Sequence, residues 1–210
     1  ADSLVNRVDF INAKTNHFST SDDFSDVRIT TTDDADIVLT VNNTDTTIRT
    51  ITDGAGTTDE DDLTINGGTL NDITLAASTA TEDLVVSGKD LTITAGSLLG
   101  NITLTAANDL TNLTAAAAKG DVNITAGNDV TAMTVTASTG TVTVNAKGVV
   151  TVTDATAAKT LIVDNTGAKA DGTEGVTITD ADSATSATIT SVGGVAANNA
   201  NGLAAAKNIT

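Results

Sequence analysis

Sixty consecutive residues, Asn101 to Thr160, divide into three blocks of twenty whose residues match by column. The asparagine–aspartate pair Asn108-Asp109 returns twenty residues later as Asn128-Asp129. A fixed period of this length is the signature of a repeat architecture, in which each repeat packs only on its neighbours. The matching apolar columns are Ile102, Val122 and Val142; Leu104, Ile124 and Val144; and Ala106, Ala126 and Ala146.

Alternating apolar and polar residues within the repeat indicate strands. From Leu63 onward, short runs such as LTING, DITLAA, DLVVSG and LTITA are separated by Gly, Asn, Asp and Ser. Thr, Asn, Asp and Gly are poor helix formers, whereas alternating Val and Thr suit a pleated surface. A coil of about twenty residues then holds two strands of about five residues and two turns.

We therefore predict an all-β fold, a parallel β-solenoid with coils of about twenty residues. An antiparallel β-sandwich is the alternative, because it also shows short strands at regular spacing. Few Asn-Gly or Asp-Gly hairpin turns and an aromatic content of 1% count against the sandwich. Two inward stacks are expected: Ile65, Val86, Leu104, Ile124, Val144 and Val163; and Ile73 or Leu75, Ile93, Leu113, Met133 and Val152.

Composition divides the chain into three segments. Residues 1–24 hold all three Phe residues and the only His, and we interpret them as an N-terminal cap or subunit-docking segment, because solenoids need atypical end units. Residues 25–193 are the predicted solenoid, in which NTGAKADGTEG from Asn165 is an inserted loop; residues 194–210 are a weakly specified tail. The residues expected at a subunit contact are Val5, Val8, Phe10 and Ile11.

The net charge of −17 disfavours nucleic acid as a partner, because phosphate contacts need Lys and Arg. It disfavours an anionic membrane surface for the same reason. No apolar run is long enough to span a bilayer, so membrane insertion is not expected. The lack of cysteine excludes disulfides, thiolate metal sites and cysteine nucleophiles.

The segments GDVNITAGNDVT and NITLTAANDLT resemble the repeats of bacterial haemagglutinin-type adhesins, and also the β-helical parts of bacterial surface-layer proteins. The resemblance covers roughly Leu63 to Val163. It implies a parallel β-helix and a location at the cell surface. The Asn-Asp pairs lack the preceding glycine-rich run of calcium-binding toxin repeats, so that family is not matched.

Little in the sequence points to catalysis. His17 is the only histidine, and it lies in the atypical N-terminal segment. Paired carboxylates of a polysaccharide-cleaving β-helix are an alternative, but the repeat has no aromatic or Arg platform for a sugar. We expect no enzymatic activity.

Two acidic runs suggest oxygen ligands for calcium, the one cofactor the sequence indicates. Carboxylates this dense repel one another unless a cation or solvent screens them, and solvated acidic loops are the alternative. No EF-hand spacing is present. The candidate ligands are Asp33, Asp34 and Asp36 in one run, and Asp59, Asp61 and Asp62 in the other.

Thr-x-Thr pairs recur on the predicted outward faces and would stack into ranks about 4.8 Å apart. Similar ranks occur in ice-binding β-solenoids, so ice binding is an alternative function. Threonine is also simply a good exposed strand residue, and Asn123, Asn145 and Asp154 interrupt the ranks. Glycans on a secreted chain would use the Asn-x-Thr sequons at Asn42, Asn101, Asn112, Asn123 and Asn208.

These features favour an extracellular structural protein, a self-associating subunit or segment of a prokaryotic surface layer, fibre or adhesin. Its partner would be another copy of itself, because the strand edges at the ends of a solenoid invite pairing.

Overall fold

Parallel strands dominate the computed structural model of the chain. It describes strand backbone at 7–11, 17–20, 26–30, 37–41 and 46–52. It then describes 63–68, 73–75, 78–79, 83–95, 100–115, 120–136, 140–156, 158–165, 175–181 and 184–197. In these ranges there are strands and turns, with no helix.

The first ten strands are β1 (Arg7–Ile11), β2 (His17–Thr20), β3 (Asp26–Thr30), β4 (Ile37–Val41), β5 (Thr46–Thr52), β6 (Leu63–Asn66), β7 (Ile73–Leu75), β8 (Ser78–Thr79), β9 (Leu84–Gly88) and β10 (Leu91–Ala95). They are followed by β11 (Ile102–Ala106), β12 (Leu110–Ala115), β13 (Val122–Ala126), β14 (Val130–Val135), β15 (Thr141–Ala146), β16 (Val150–Asp154), β17 (Thr160–Asn165), β18 (Gly175–Ile178), β19 (Ser186–Ser191) and β20 (Gly194–Ala197).

The strands form two sheets, and the chain alternates between them, except that β7 and β8 follow each other in the same sheet. An 11-stranded sheet runs β1-β3-β5-β7-β10-β12-β14-β16-β18-β20, with β8 beside β5. A 9-stranded sheet runs β2-β4-β6-β9-β11-β13-β15-β17-β19. The β-solenoid prediction is confirmed. The antiparallel sandwich is wrong, because strands such as β11 and β13 pair in parallel with the next coil and not as hairpins.

Register follows the repeat. In β11, β13 and β15, Leu104 pairs with Ile124, and Ile124 pairs with Val144. The alternation of apolar and polar residues puts these three side chains in the core, while Thr103, Thr125 and Thr143 lie on the outer face. Both predicted stacks are confirmed, the second with Leu75 in register with Ile93.

The core is a narrow aliphatic layer between the two sheets. Its side chains are Leu, Ile, Val and Ala with a single Met, Met133, and most are completely buried. Small side chains suit this layer because the two strands of a coil lie close together, and burial of their apolar area is the main favourable term in folding. The repeat therefore produces the core directly.

Two coils are longer than the others. In the first, Ile37 pairs with Leu63 across twenty-six residues. The second, called the longer coil below, follows β16. Val130 pairs with Val150 across twenty residues, but Val150 pairs with Val176 across twenty-six. The six extra residues fall in the stretch predicted as an inserted loop. β1 and β2 pair with β3 and β4 at one end, and β20 pairs with β18 at the other. The segment boundaries at residues 24 and 194 stay predictions.

Candidate functional site

Stacked Asp side chains join successive coils at the turn that leads from the 9-stranded to the 11-stranded sheet. Oδ1 of Asp90 accepts the backbone N–H of Asp109 at 2.9 Å, and Oδ1 of Asp109 accepts that of Asp129 at 3.0 Å. Oδ1 of Asp129 accepts the N–H of Val149 at 2.7 Å. We call Asp90, Asp109 and Asp129 the first ladder. Its carboxylates satisfy turn amides that the strands leave unpaired.

The opposite turn carries a second ladder, Asp83, Asn101 and Asp121. The backbone N–H of Asn101 donates to Oδ1 of Asp83, and the N–H of Asp121 donates to Oδ1 of Asn101 at 2.8 Å. Oδ1 of Asp121 accepts the N–H of Thr141 at 2.7 Å. Each member precedes the first inward residue of its strand. At both turns, therefore, a side-chain oxygen of one coil accepts a backbone N–H of the next coil.

Asparagine side chains add a parallel line of bonds beside the first ladder. Nδ2 of Asn108 donates to Oδ1 of Asp90 at 2.8 Å, and Nδ2 of Asn128 donates to Oδ1 of Asn108. The sequence shows Asn108-Asp109 and Asn128-Asp129 as a repeat, but it does not indicate that the pair bonds to the neighbouring coil. The signal was its position, directly before β12 and again directly before β14.

Glycines make room for the ladders. A Cβ on Gly148 would overlap Oδ1 of Asp129, and a Cβ on Gly140 would overlap Oδ1 of Asp121. Neither glycine has a positive φ, so the requirement is for space beside the carboxylate and not for an unusual backbone. Each of these two ladder carboxylates therefore requires a glycine at the adjacent position of the next coil.

One ladder carboxyl has a shifted pKa. Partial burial of Asp90 works to raise its pKa, but hydrogen bonds from the Asp109 N–H and the Asn108 side chain, together with the Lys89 charge, outweigh it. The pKa therefore lies below its ordinary value of 3.8. Nζ of Lys89 lies 3.5 Å from Oδ2 of Asp90 at a half-exposed site, where an ion pair contributes little.

At the turn after β15, where the first ladder ends, the side chain of Asn165 supplies hydrogen bonds between coils. Among the described residues it is the one polar side chain in the core. Its Nδ2 donates to the carbonyls of Ala146, at 3.3 Å, and Gly148, and its Oδ1 accepts the hydroxyl of Ser191 at 2.9 Å. In the preceding coils the equivalent carbonyl of Asn128 accepts a backbone N–H, that of Gly148, at 2.8 Å. The side-chain amide thus replaces a backbone donor beside the longer coil.

Most of the predicted site residues lie outside the described residues. These are the six calcium candidates, Asp33, Asp34, Asp36, Asp59, Asp61 and Asp62, and also Val5. Val8, Phe10 and Ile11 fall within β1, and His17 begins β2. In the described part of the chain, no group of three or more His, Asp or Glu side chains is placed to hold a metal ion. The calcium and contact residues stay predictions.

On the outer faces, the predicted threonine ranks are interrupted by other polar residues. Thr94, Thr114 and Thr134 stack in one column, which then meets Asp154. On the other sheet, Thr103, Asn123 and Thr143 alternate. Three sequons can be located: Asn101 and Asn112 use their side chains in hydrogen bonds, whereas Asn123 is exposed in the middle of β13.

Two parallel sheets joined by laddered turns define the chain as a β-solenoid. No family model, no curated protein and no solved structure matches it. Over the described ranges, the structure contains no helix of the length and hydrophobicity needed to cross a membrane.

Proposed function

We propose that the chain is an extracellular structural protein, a self-associating subunit or segment of a prokaryotic surface layer, fibre or adhesin. The observation that supports this most is the uniform stack. Successive coils pair in parallel over one continuous aliphatic core, and ladders cross the turns from Asp83 to Val149. A fold of this kind provides length, stiffness and repeated surface, which are the properties that a structural protein needs.

Three kinds of interaction hold successive coils together. Strands pair above and below, aliphatic columns run through the core, and ladders of Asp and Asn side chains cross both turns of the central coils. Because the interfaces between the coils from Leu84 to Asp154 are alike, load along the axis is shared there by many similar hydrogen bonds. The resemblance of the repeats to adhesin and surface-layer sequences supports the surface assignment.

Negative-stain electron microscopy of the purified chain tests this proposal. We expect sheets or filaments that lengthen with protein concentration. Calcium belongs to the same experiment, because the acidic runs before β4 and after β5 are its candidate ligands. If these runs bind calcium, chelation lowers the melting temperature by more than a few degrees and changes the assemblies. An identical melting curve across a calcium titration would leave them as solvated loops.

Ice binding is the second candidate, and the column of Thr94, Thr114 and Thr134 is the observation that favours it. A flat rank of hydroxyls about 4.8 Å apart is needed over many coils. Here Asp154 ends the column after three threonines. A measurement of freezing-point hysteresis separates the two functions, since a surface-layer or fibre subunit shows none. A polysaccharide-cleaving activity would instead appear as loss of an acidic sugar polymer.

A further inference from the structure

The outer face of the 9-stranded sheet carries no charge over its central strands. Two outward columns cross β6, β9, β11, β13 and β15, one from Thr64 to Thr143 and the other from Asn66 to Asn145. Every member of the two columns is Thr, Asn, Ser or Val. We call these two columns the neutral face. It ends at β17, where Asp164 follows Asn145.

The described charges of the same coils lie elsewhere. The carboxylates of both ladders belong to the turns that join the sheets, as do the ammonium groups of Lys89 and Lys147. On the other sheet, Asp154 ends the threonine column, and the register shifts at β10 and at β14. No such shift interrupts the strand pairs beneath the neutral face. The neutral face is therefore both uncharged and regular.

The neutral face is open to solvent. Thr105, Asn123 and Thr125 are exposed near its centre, and Val85 is 38% exposed. Methyl groups of threonine and valine make part of this surface apolar, while hydroxyl and amide groups supply hydrogen-bond donors and acceptors. Side chains that repeat in register on one sheet interdigitate with those of an identical sheet, at a spacing of about 10 Å between the two backbones.

Electrostatics favours a second copy of this chain as the partner of the neutral face. A net charge of −17 keeps copies apart. Contact through the turns would bring ladder carboxylates together and remove them from water, which is costly. Contact through the neutral face desolvates no charge and leaves the acidic turns at the rim, where salt screens their repulsion. A second neutral face also has the same column spacing.

We propose that two copies bind face to face through their neutral faces. This inference rests on the proposed structural function and names a contact for it. Because both copies use the same patch, the interface is isologous and closes as a pair. In a sheet or fibre, this contact joins neighbouring solenoids side by side and does not lengthen them.

The size of the neutral face sets the strength of this contact. Five strands about 4.8 Å apart and about 17 Å long cover roughly 400 Å² on each copy. The pair then buries about 800 Å² in total, which is the size of a weak, transient interface. Pairs that repeat along an assembly reinforce one another. Association is therefore expected to depend strongly on protein concentration.

Salt provides the first test, because an uncharged contact forms here against the repulsion of two acidic chains. Sedimentation equilibrium measures the Kd of the pair. We expect the Kd to fall about fivefold between about 20 mM and about 300 mM sodium chloride, as the repulsion is screened. A contact built on Lys–Asp ion pairs would weaken over the same range. A Kd that rises with salt would contradict the proposal.

Charges of either sign on the neutral face provide the second test. T105D and T105K each put one charge from each copy into the contact, and we expect each to raise the Kd at least tenfold at high salt. T94D and T94K are the matched controls, because Thr94 is exposed on the outer face of the other sheet. They change the net charge equally and should leave the Kd within about twofold of wild type. Circular dichroism verifies that all four variants are folded.

The outcomes separate this contact from the proposed function. If T105K associates more tightly than wild type, net charge controls association and the contact is refuted. If wild type assembles and both Thr105 variants assemble equally well, the contact is also refuted, but the structural function stands. A wild-type chain that is monomeric at all concentrations and salt levels refutes both. If such a monomer sediments with an insoluble neutral polysaccharide and T105D does not, the face binds carbohydrate and not a second copy.

Discussion

The coils before and after Asp154 differ in length and in the hydrogen bonds that join their turns. Between Leu84 and Asp154 the register advances by 18 to 20 residues per coil, and backbone and side-chain ladders cross both turns. After Asp154 the register advances by 26 residues from Val150 to Val176, and from Leu161 to Ala187. There the side chain of Asn165 supplies donors to the preceding turn.

The difference shows what a solenoid has to preserve. Coil length varies, but the inward columns are kept, and the turn carbonyls still receive a hydrogen bond from a different donor. Where a longer connection removes the regular backbone donor, a buried amide replaces it, because a buried carbonyl without a donor is costly. The repeat is therefore best understood as a set of columns, and the twenty-residue period as its commonest spacing.

The largest effect is expected from a charge in the central core. Ile124→Asp puts a carboxylate between Leu104 and Val144, with no cation beside it. An unpaired buried charge costs several kcal/mol, which approaches the whole stability of a domain. We expect the variant to be unfolded in circular dichroism at 25 °C. Thr125→Asp, one residue later on the outer face, should fold normally; equal damage at both positions would contradict the alternation.

Removal of the amide in the longer coil should have the next largest effect. Asn165→Ala leaves the carbonyls of Ala146 and Gly148 without a donor and opens a small cavity, at a cost of about 3 kcal/mol. Chemical denaturation measures this free energy of unfolding. Asn145→Ala, on the exposed face of β15, is the control and should change it by less than about 0.5 kcal/mol. A neutral Asn165→Ala would show that the longer coil does not depend on the amide.

A methyl group beside the first ladder tests the central coils. Gly148→Ala overlaps Oδ1 of Asp129 and forces it away from the N–H of Val149. The lost charge-assisted hydrogen bond predicts a loss of about 2 kcal/mol in the free energy of unfolding. Gly194→Ala has open space around its Cβ and should be neutral within about 0.5 kcal/mol. If the two variants unfold alike, the ladder does not stabilise the turn.

Low pH should reduce the stability that Asp90 contributes to the first ladder, and this effect should be smaller than the preceding ones. The pKa of Asp90 is lower in the folded chain than its ordinary value of 3.8, so its contribution to stability is complete above that value. The contribution is lost as the pH falls through the lower, folded pKa. We expect Asp90→Asn to be less stable than wild type at pH 7, by up to about 1 kcal/mol, and the difference to shrink as the pH is lowered below 3.8. A gap that stays constant over this range would disagree with the pKa shift.

The repeat predicts the fold well because identity at a fixed spacing is a direct consequence of stacking. Leu104, Ile124 and Val144 share a column in the sequence and share one in the core. The ladders are less visible, since an Asp before a strand is equally typical of a solvated turn. Only the distance between coils shows that Asp109 accepts the N–H of Asp129.

Asn165 was beyond the reach of sequence analysis. It continues the column of Ala106, Ala126 and Ala146, in which a polar residue looks like a break in the pattern. Its burial makes sense only when the carbonyls of the preceding turn are known. The calcium and contact residues lie in segments whose sequence does not repeat at a fixed spacing, so no match by column in the sequence relates one residue to another.

The parallel, in-register stack is tested most directly by one distance measurement. Ser87, Thr125 and Thr190 share an outward column, with Ser87 five strand spacings and Thr125 three spacings from Thr190. Nitroxide labels on S87C/T190C and T125C/T190C, diluted with unlabelled chain, are measured by pulsed electron paramagnetic resonance. We predict separations of about 24 Å and about 14 Å, which differ by two strand spacings. Two equal distances, or a longer distance for the nearer pair, would contradict the stack.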